Sequence, residues 1–131
     1  MRMLAQEDEN SQDAEVTWED QQRINTFSKL NTRLRGIEGK IEELKQDKEA
    51  LDDLAMELEL ADEDQAVLYK VGEAFMHLPH PRAMKQLEKD QEQVNKELSS
   101  FTDRAEECEK TMKELKVILY AKFGRAINLD E

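Results

Sequence analysis

The sequence holds a single cysteine, Cys108, so it cannot build an internal disulfide framework, and a reducing compartment is expected. Aromatic residues make up 5% of its 131 residues, and no stretch approaches the run of about 18 apolar residues that a bilayer span requires. A membrane partner is therefore not expected. An apolar signal core is missing as well, because Met1 to Leu4 leads straight into the acidic stretch Glu7–Glu15. Clustered lysine and arginine, which phosphate backbones demand, are absent from a chain of formal net charge −12, and this argues against nucleic acid. Basic partner surfaces fit such a chain better.

The residues of chemistry are equally sparse. His77 and His80 flank Pro79, but they lack a cysteine or third ligand of obvious geometry nearby, so they read as hairpin-exit residues rather than a metal site. Cys108 has no visible activating base or oxyanion donor set, and it falls where a small apolar group is wanted. The expectation is a protein that is not an enzyme and carries no cofactor and no metal.

What the chain does have is charge, at 38% of residues, with an equal share of hydrophobic ones. Such a composition means either disorder or long helices that bury a narrow stripe, and periodicity favours the helices. From Phe27 onward, one apolar row is Leu30, Ile37, Leu44, Leu51 and Leu58; the other is Phe27, Leu34, Ile41 and Ala55, with Lys48 interrupting. This is the heptad spacing of a coiled-coil seam. Thr17 followed by Asp20 has the form of a capping box, which places the helix start near residue 17. A second run repeats the pattern. Its rows are Met84, Gln91, Leu98, Ala105, Met112 and Leu119, and Leu87, Val94, Phe101, Cys108, Leu115 and Lys122. Pro81 suits its first turn and Gly124 the position past its end.

Two helices of matched length, each about 65 Å at 1.5 Å per residue, imply an antiparallel pair with both termini at one end; a parallel homodimer is the competing geometry. The expected organisation is an acidic, disordered tail over 1–16, a first helix over 17–61, an assembly hairpin over 62–80, a second helix over 81–123 and a flexible tail over 124–131. Gly36 and Gly39 interrupt the first helix, either as a flexible point or as residues that a long coil tolerates.

Between the helices the period changes. Val67, Tyr69 and Val71 alternate with Leu68 and Lys70, and Gly72-Glu73 suits a two-residue hairpin turn with glycine first. That turn pairs Val71 with Ala74, Tyr69 with Met76 and Val67 with Leu78 on one face, and Lys70 with Phe75 and Leu68 with His77 on the other. A lone hairpin is marginal in water and its edges invite pairing. Hairpins from several subunits are therefore expected to join into a larger sheet or barrel, through Val67, Leu68, Tyr69, Val71, Ala74, Phe75, Met76 and Leu78. The alternative is a hairpin folded back on its own helices.

Helix, one short hairpin, helix is also the plan of the beta-class prefoldin subunits. Glu19 to Asn25 (EDQQRIN), Leu60 to Asp64 (LADED), Tyr69 to Phe75 (YKVGEAF), Leu119 to Gly124 (LYAKFG) and Ile127 to Leu129 (INL) resemble that family, above all its subunit-4 branch. The resemblance starts at about residue 16. It implies a cytoplasmic heterohexamer containing two alpha-class and three other beta-class subunits, with a double β-barrel body and coiled-coil tentacles. It further implies that the tips hold unfolded actin and tubulin without ATP and pass them to the cytosolic chaperonin. On that reading Val16, Trp18, Tyr120, Ile127 and Leu129 are candidate client contacts, and Ile118 is another candidate for exposure. Ile24, Phe27 and Phe123 instead zip up the tip. The acidic runs Glu7–Glu15 and Glu106-Glu107-Glu109 read as solvated faces, or alternatively as groups that dock on a basic patch of the chaperonin. The rival function is a structural coiled-coil adaptor that tethers a folded partner, which has no need of the hairpin.

Overall fold

The computed structural model describes residues 2–3, 15–124 and 127–129. In chain order the elements are β1 (Arg2–Met3), α1 (Trp18–Leu60), β2 (Val67–Val71), β3 (Ala74–Leu78), α2 (His80–Phe123) and β4 (Ile127–Asn128). Two long helices with an antiparallel hairpin between them make a mainly α fold, as the periodicity implies. The helices run through two packed units, one formed by residues 1–39 with 102–131 and the other by 40–101. We call these the tip unit and the hairpin unit.

Local chemistry sets the helix ends. The Thr17 hydroxyl accepts the Asp20 N–H, and the Asp20 carboxylate accepts the Thr17 N–H, both at 3.1 Å. This reciprocal cap satisfies donors that the first turn of α1 would leave orphaned. At α2 the Pro79 carbonyl accepts the Arg82 and Ala83 amides, so Pro81 sits in the first turn, where its missing N–H is harmless. Gly124 ends α2 at φ 57, a left-handed conformation that glycine adopts without steric cost.

The helices pair antiparallel within each unit. In the tip unit Phe27 meets Leu119 and Phe123; in the hairpin unit Leu58 meets Ala83 and Leu87. Along α2 every residue of the two heptad rows is buried or half-buried, and along α1 only the charged interruption, Lys48, is exposed.

The β2–β3 ladder has the expected register, from Val71↔Ala74 at the turn to Val67↔Leu78 at the open end. Gly72 has φ 64 while Glu73 keeps a negative φ, the combination whose twist matches the two strands. The hairpin does more than wait for neighbours, however. Tyr69 and Leu78 are buried and Val67 is half-buried, all against Leu58, Ala83 and Leu87. The base of one face thus folds back on the chain's own helices. The physical reason is that the last turn of α1 and the first of α2 present enough apolar surface for it.

A second correction concerns the C-terminus. The segment expected as a flexible tail is packed over its described residues. Ile127 and Leu129 are buried against Phe27, Leu119 and Phe123, because the turn at Gly124 brings the chain back over the end of the coil. Ile127–Asn128 also pairs antiparallel with Arg2–Met3. The rest of the expected acidic tail, Met1 and residues 4–14, lies outside the described residues.

Candidate binding surfaces

The large apolar side chains that remain exposed lie in the hairpin and near the ends of the two helices. In the hairpin unit they are Met56, Leu60, Leu68, Val71, Phe75 and Met76; in the tip unit they are Val16, Trp18, Val117 and Ile118. Elsewhere along the described helices such side chains lie on the seam. Exposed apolar clusters of this kind mark interaction surfaces.

In the hairpin unit, five of the eight expected assembly residues are exposed: Leu68, Val71, Ala74, Phe75 and Met76. The other three, Val67, Tyr69 and Leu78, hold the hairpin in place. Tyr69 is 2% exposed and donates its phenolic O–H to Asp90 Oδ2 at 2.7 Å, while Gln86 donates to the other oxygen of the same carboxylate at 3.0 Å. Burial first, and the neighbouring Asp90 second, hold the phenol well above its usual range, so it stays a neutral donor. His80, read from sequence as a hairpin-exit residue, is buried and donates Nε2–H to the Leu58 carbonyl at 2.8 Å. The same carbonyl accepts the Ala61 amide at 3.4 Å, so His80 adds the shorter of two bonds at the last turn of α1. Met56 and Leu60, in the last turns of α1, are 65% and 89% exposed. The signal for them is their position off both heptad rows.

In the tip unit, Val16 and Trp18 are exposed, Trp18 by 74%, and so are Val117 and Ile118 of α2. Tyr120 is half-buried, and its hydroxyl accepts the Leu129 N–H at 3.4 Å. Ile127 and Leu129, expected as client contacts, instead lie inside the closed tip together with Phe27 and Phe123. An open groove of about 660 Å³ runs beside them, floored by Phe27, Leu34, Met112 and Leu129.

A charged latch holds this end. Asp20, 2% exposed, takes Lys122 Nζ on Oδ2 and Arg23 Nη1 on Oδ1 at 3.1 Å, besides its part in the helix cap. The Lys122 hydrogen bond, with help from Thr17, lowers the carboxyl from its ordinary 3.8 to about 2, against the opposing effect of burial. Because the folded-state value is the lower one, the latch contributes fully above about pH 4 and is lost as pH falls toward about 2. Amide protection of the tip unit is expected to fall over that window. The same titration of Asp20→Asn should lack that component, and an identical acid response in the two proteins would show that the latch contributes nothing.

Among the described residues no group of three His, Cys, Asp or Glu is arranged to hold a metal ion, and no helix is long and apolar enough to cross a membrane. Cys108 is buried in the seam.

The family profile described as "Prefoldin subunit" matches residues 21–126, which includes both helices almost entirely and the whole hairpin. Prefoldin subunit 4 of Saccharomyces cerevisiae is 42% identical over 130 residues, covering 99% of each chain. The probable prefoldin subunit 4 of Drosophila melanogaster is 34% identical over 122 residues, with 93% of this chain and 88% of the relative covered. Prefoldin subunit 4 of Homo sapiens is 33% identical over 121 residues, at 92% and 90%. With the two helices, the intervening hairpin and near full-length similarity all in agreement, the chain belongs to the prefoldin subunit family.

Proposed function

We propose that this chain is one subunit of a cytoplasmic, ATP-independent holding chaperone, in which its hairpin joins a shared β-barrel body and its tip holds unfolded proteins. The observation that carries this reading is that the exposed large apolar side chains lie in two sets, one in the hairpin and the last turns of α1 (Met56, Leu60, Leu68, Val71, Phe75 and Met76) and one at the start of α1 and in the last turns of α2 (Val16, Trp18, Val117 and Ile118). A body contact needs the first set and client capture needs the second. The partners are the other prefoldin subunits, two alpha-class and three beta-class. The clients are unfolded actin and tubulin, and the recipient is the cytosolic chaperonin.

At the tip, Trp18 and Val16 together with Val117 and Ile118 offer the first contacts. Tyr120, Ile127 and Leu129 become available when the C-terminal segment lifts from the groove. Each such contact is weak and undemanding in sequence, which suits clients of many kinds, and several tips on one body add by multivalency. Catalysis plays no part in holding of this kind.

Aggregation of denatured actin, followed by light scattering in the presence of the reconstituted complex, tests the proposal. The complex should keep actin in solution without ATP. A complex carrying Trp18→Ser, Val117→Ser and Ile118→Ser should require a severalfold higher concentration for the same protection. An intact complex that leaves actin aggregation unchanged would sink the chaperone reading.

A further inference from the structure

Ile127 and Leu129 fill a seat made by Phe27, Leu119 and Phe123 in the tip unit. Among the described residues, little besides that burial ties the segment down. Ile127–Asn128 forms a two-pair ladder with Arg2–Met3, and the Leu129 N–H reaches the Tyr120 hydroxyl at 3.4 Å. The helix ends have fastenings of their own: the Thr17–Asp20 cap, the bonds to Asp20 from Lys122 and Arg23, and the packing of Phe27 with Leu119 and Phe123. None of these involves residues 127–129. The seat also adjoins the open groove, because Phe27 belongs to both and Leu129 is itself part of the groove lining. Lifting the segment therefore joins Phe27, Leu119 and Phe123 to Leu34 and Met112 in one apolar surface.

We infer that the segment carrying Ile127 and Leu129 is a built-in competitor, which occupies the place at this tip that an unfolded client takes. The inference rests on the tip being a client-holding surface, as proposed above. An unfolded chain offers what the segment offers, extended backbone with large apolar side chains. The seat cannot hold both, since Phe27, Leu119 and Phe123 are already buried beneath Ile127 and Leu129. A client first meets the exposed residues Val16, Trp18, Val117 and Ile118, and gains the seat only in the fraction of molecules whose segment has lifted. Its apparent affinity is reduced by that fraction. Local opening of this kind is easiest where few buried contacts and hydrogen bonds hold a chain end. The segment stays tethered at Gly124, so its effective concentration at the seat is high and it returns whenever a client loosens. Release then needs no nucleotide.

The test uses the reconstituted complex with a photoreactive benzophenone residue in place of Lys113, which lines the groove. Its crosslinking to denatured actin reads client occupancy at this tip, and light scattering reads holding by the whole complex. Arg2→Cys with Asn128→Cys puts cysteines on opposed residues of an antiparallel pair, within reach of a disulfide. Oxidation locks the segment down and should lower the crosslink severalfold, and reductant should restore it. Ile127→Val keeps an apolar side chain but loosens its packing, so the crosslink should rise about twofold or more. Amide exchange of α1 and α2 in the tip unit should not change in either variant. If oxidised and reduced complexes crosslink alike, or if Ile127→Val crosslinks less, the segment is a structural staple and the inference fails. It fails too if the gain in Ile127→Val comes with faster exchange of the helices. In each of these cases a complex that still keeps actin in solution leaves the chaperone reading intact, whereas a native complex that lets actin aggregate sinks both.

Discussion

Replacing Phe123 with alanine is expected to destabilise the tip unit by about 3–5 kcal/mol, the usual cost of truncating a fully buried aromatic residue. Phe123 is 0% exposed and packs with Phe27, Leu119, Ile127 and Leu129, residues from both helices and from the returning C-terminal segment. Its loss removes the common surface on which all three rest. Amide exchange should accelerate across the first turns of α1, the last turns of α2 and residues 127–129. The hairpin unit has its own core around Leu58, Tyr69 and Leu87 and should keep its protection. Uniform acceleration along the whole chain would show instead that the two units open as one.

Tyr69→Ala is expected to cost the hairpin unit about 3–5 kcal/mol by the same arithmetic, with a consequence for assembly as well. The ring fills the space between hairpin and helices, and its hydroxyl is fixed to Asp90. Without the ring the ribbon loses its seat, so Leu68 and Phe75 are no longer presented in a fixed direction. Incorporation into the complex should fall with stability. Tyr69→Phe separates the two contributions. It keeps the ring and removes one hydrogen bond, and Asp90 retains its bond from Gln86, so a loss of only about 1 kcal/mol is expected. If Tyr69→Phe were as damaging as Tyr69→Ala in a stability titration, the hydrogen bond and not the packing would carry the hairpin.

Sequence pattern revealed the parts of this fold that local rules govern. Heptad rows placed the seam, Thr17 and Asp20 announced the cap, and alternation around Gly72 gave the ladder register residue by residue. Interactions between distant residues were less legible. Asp20 and Lys122 stand 102 positions apart, and their local patterns, a helix cap and the end of a heptad row, do not join them. Ile127 and Leu129 follow a helix-ending glycine and have no period of their own, so nothing local shows that they return to Phe27. Tyr69 was legible as apolar but not as a hydrogen-bond donor, because Asp90 belongs to a helix face that reads as solvated. The exposed residues divide in the same way. Phe75 follows from the hairpin pattern, and the exposure of Met56 and Leu60 follows from their position off both heptad rows.

The single thiol gives this architecture a clock. Cys108 is 5% exposed, in the seam of the tip unit, and no other cysteine competes with it for reagent. A thiol reagent can reach it only when the helices part locally. When closing outruns labelling, the labelling rate divided by that of a free thiol equals the fraction of time the coil is open. The native chain thus carries a reporter of its own breathing, read with no substitution added.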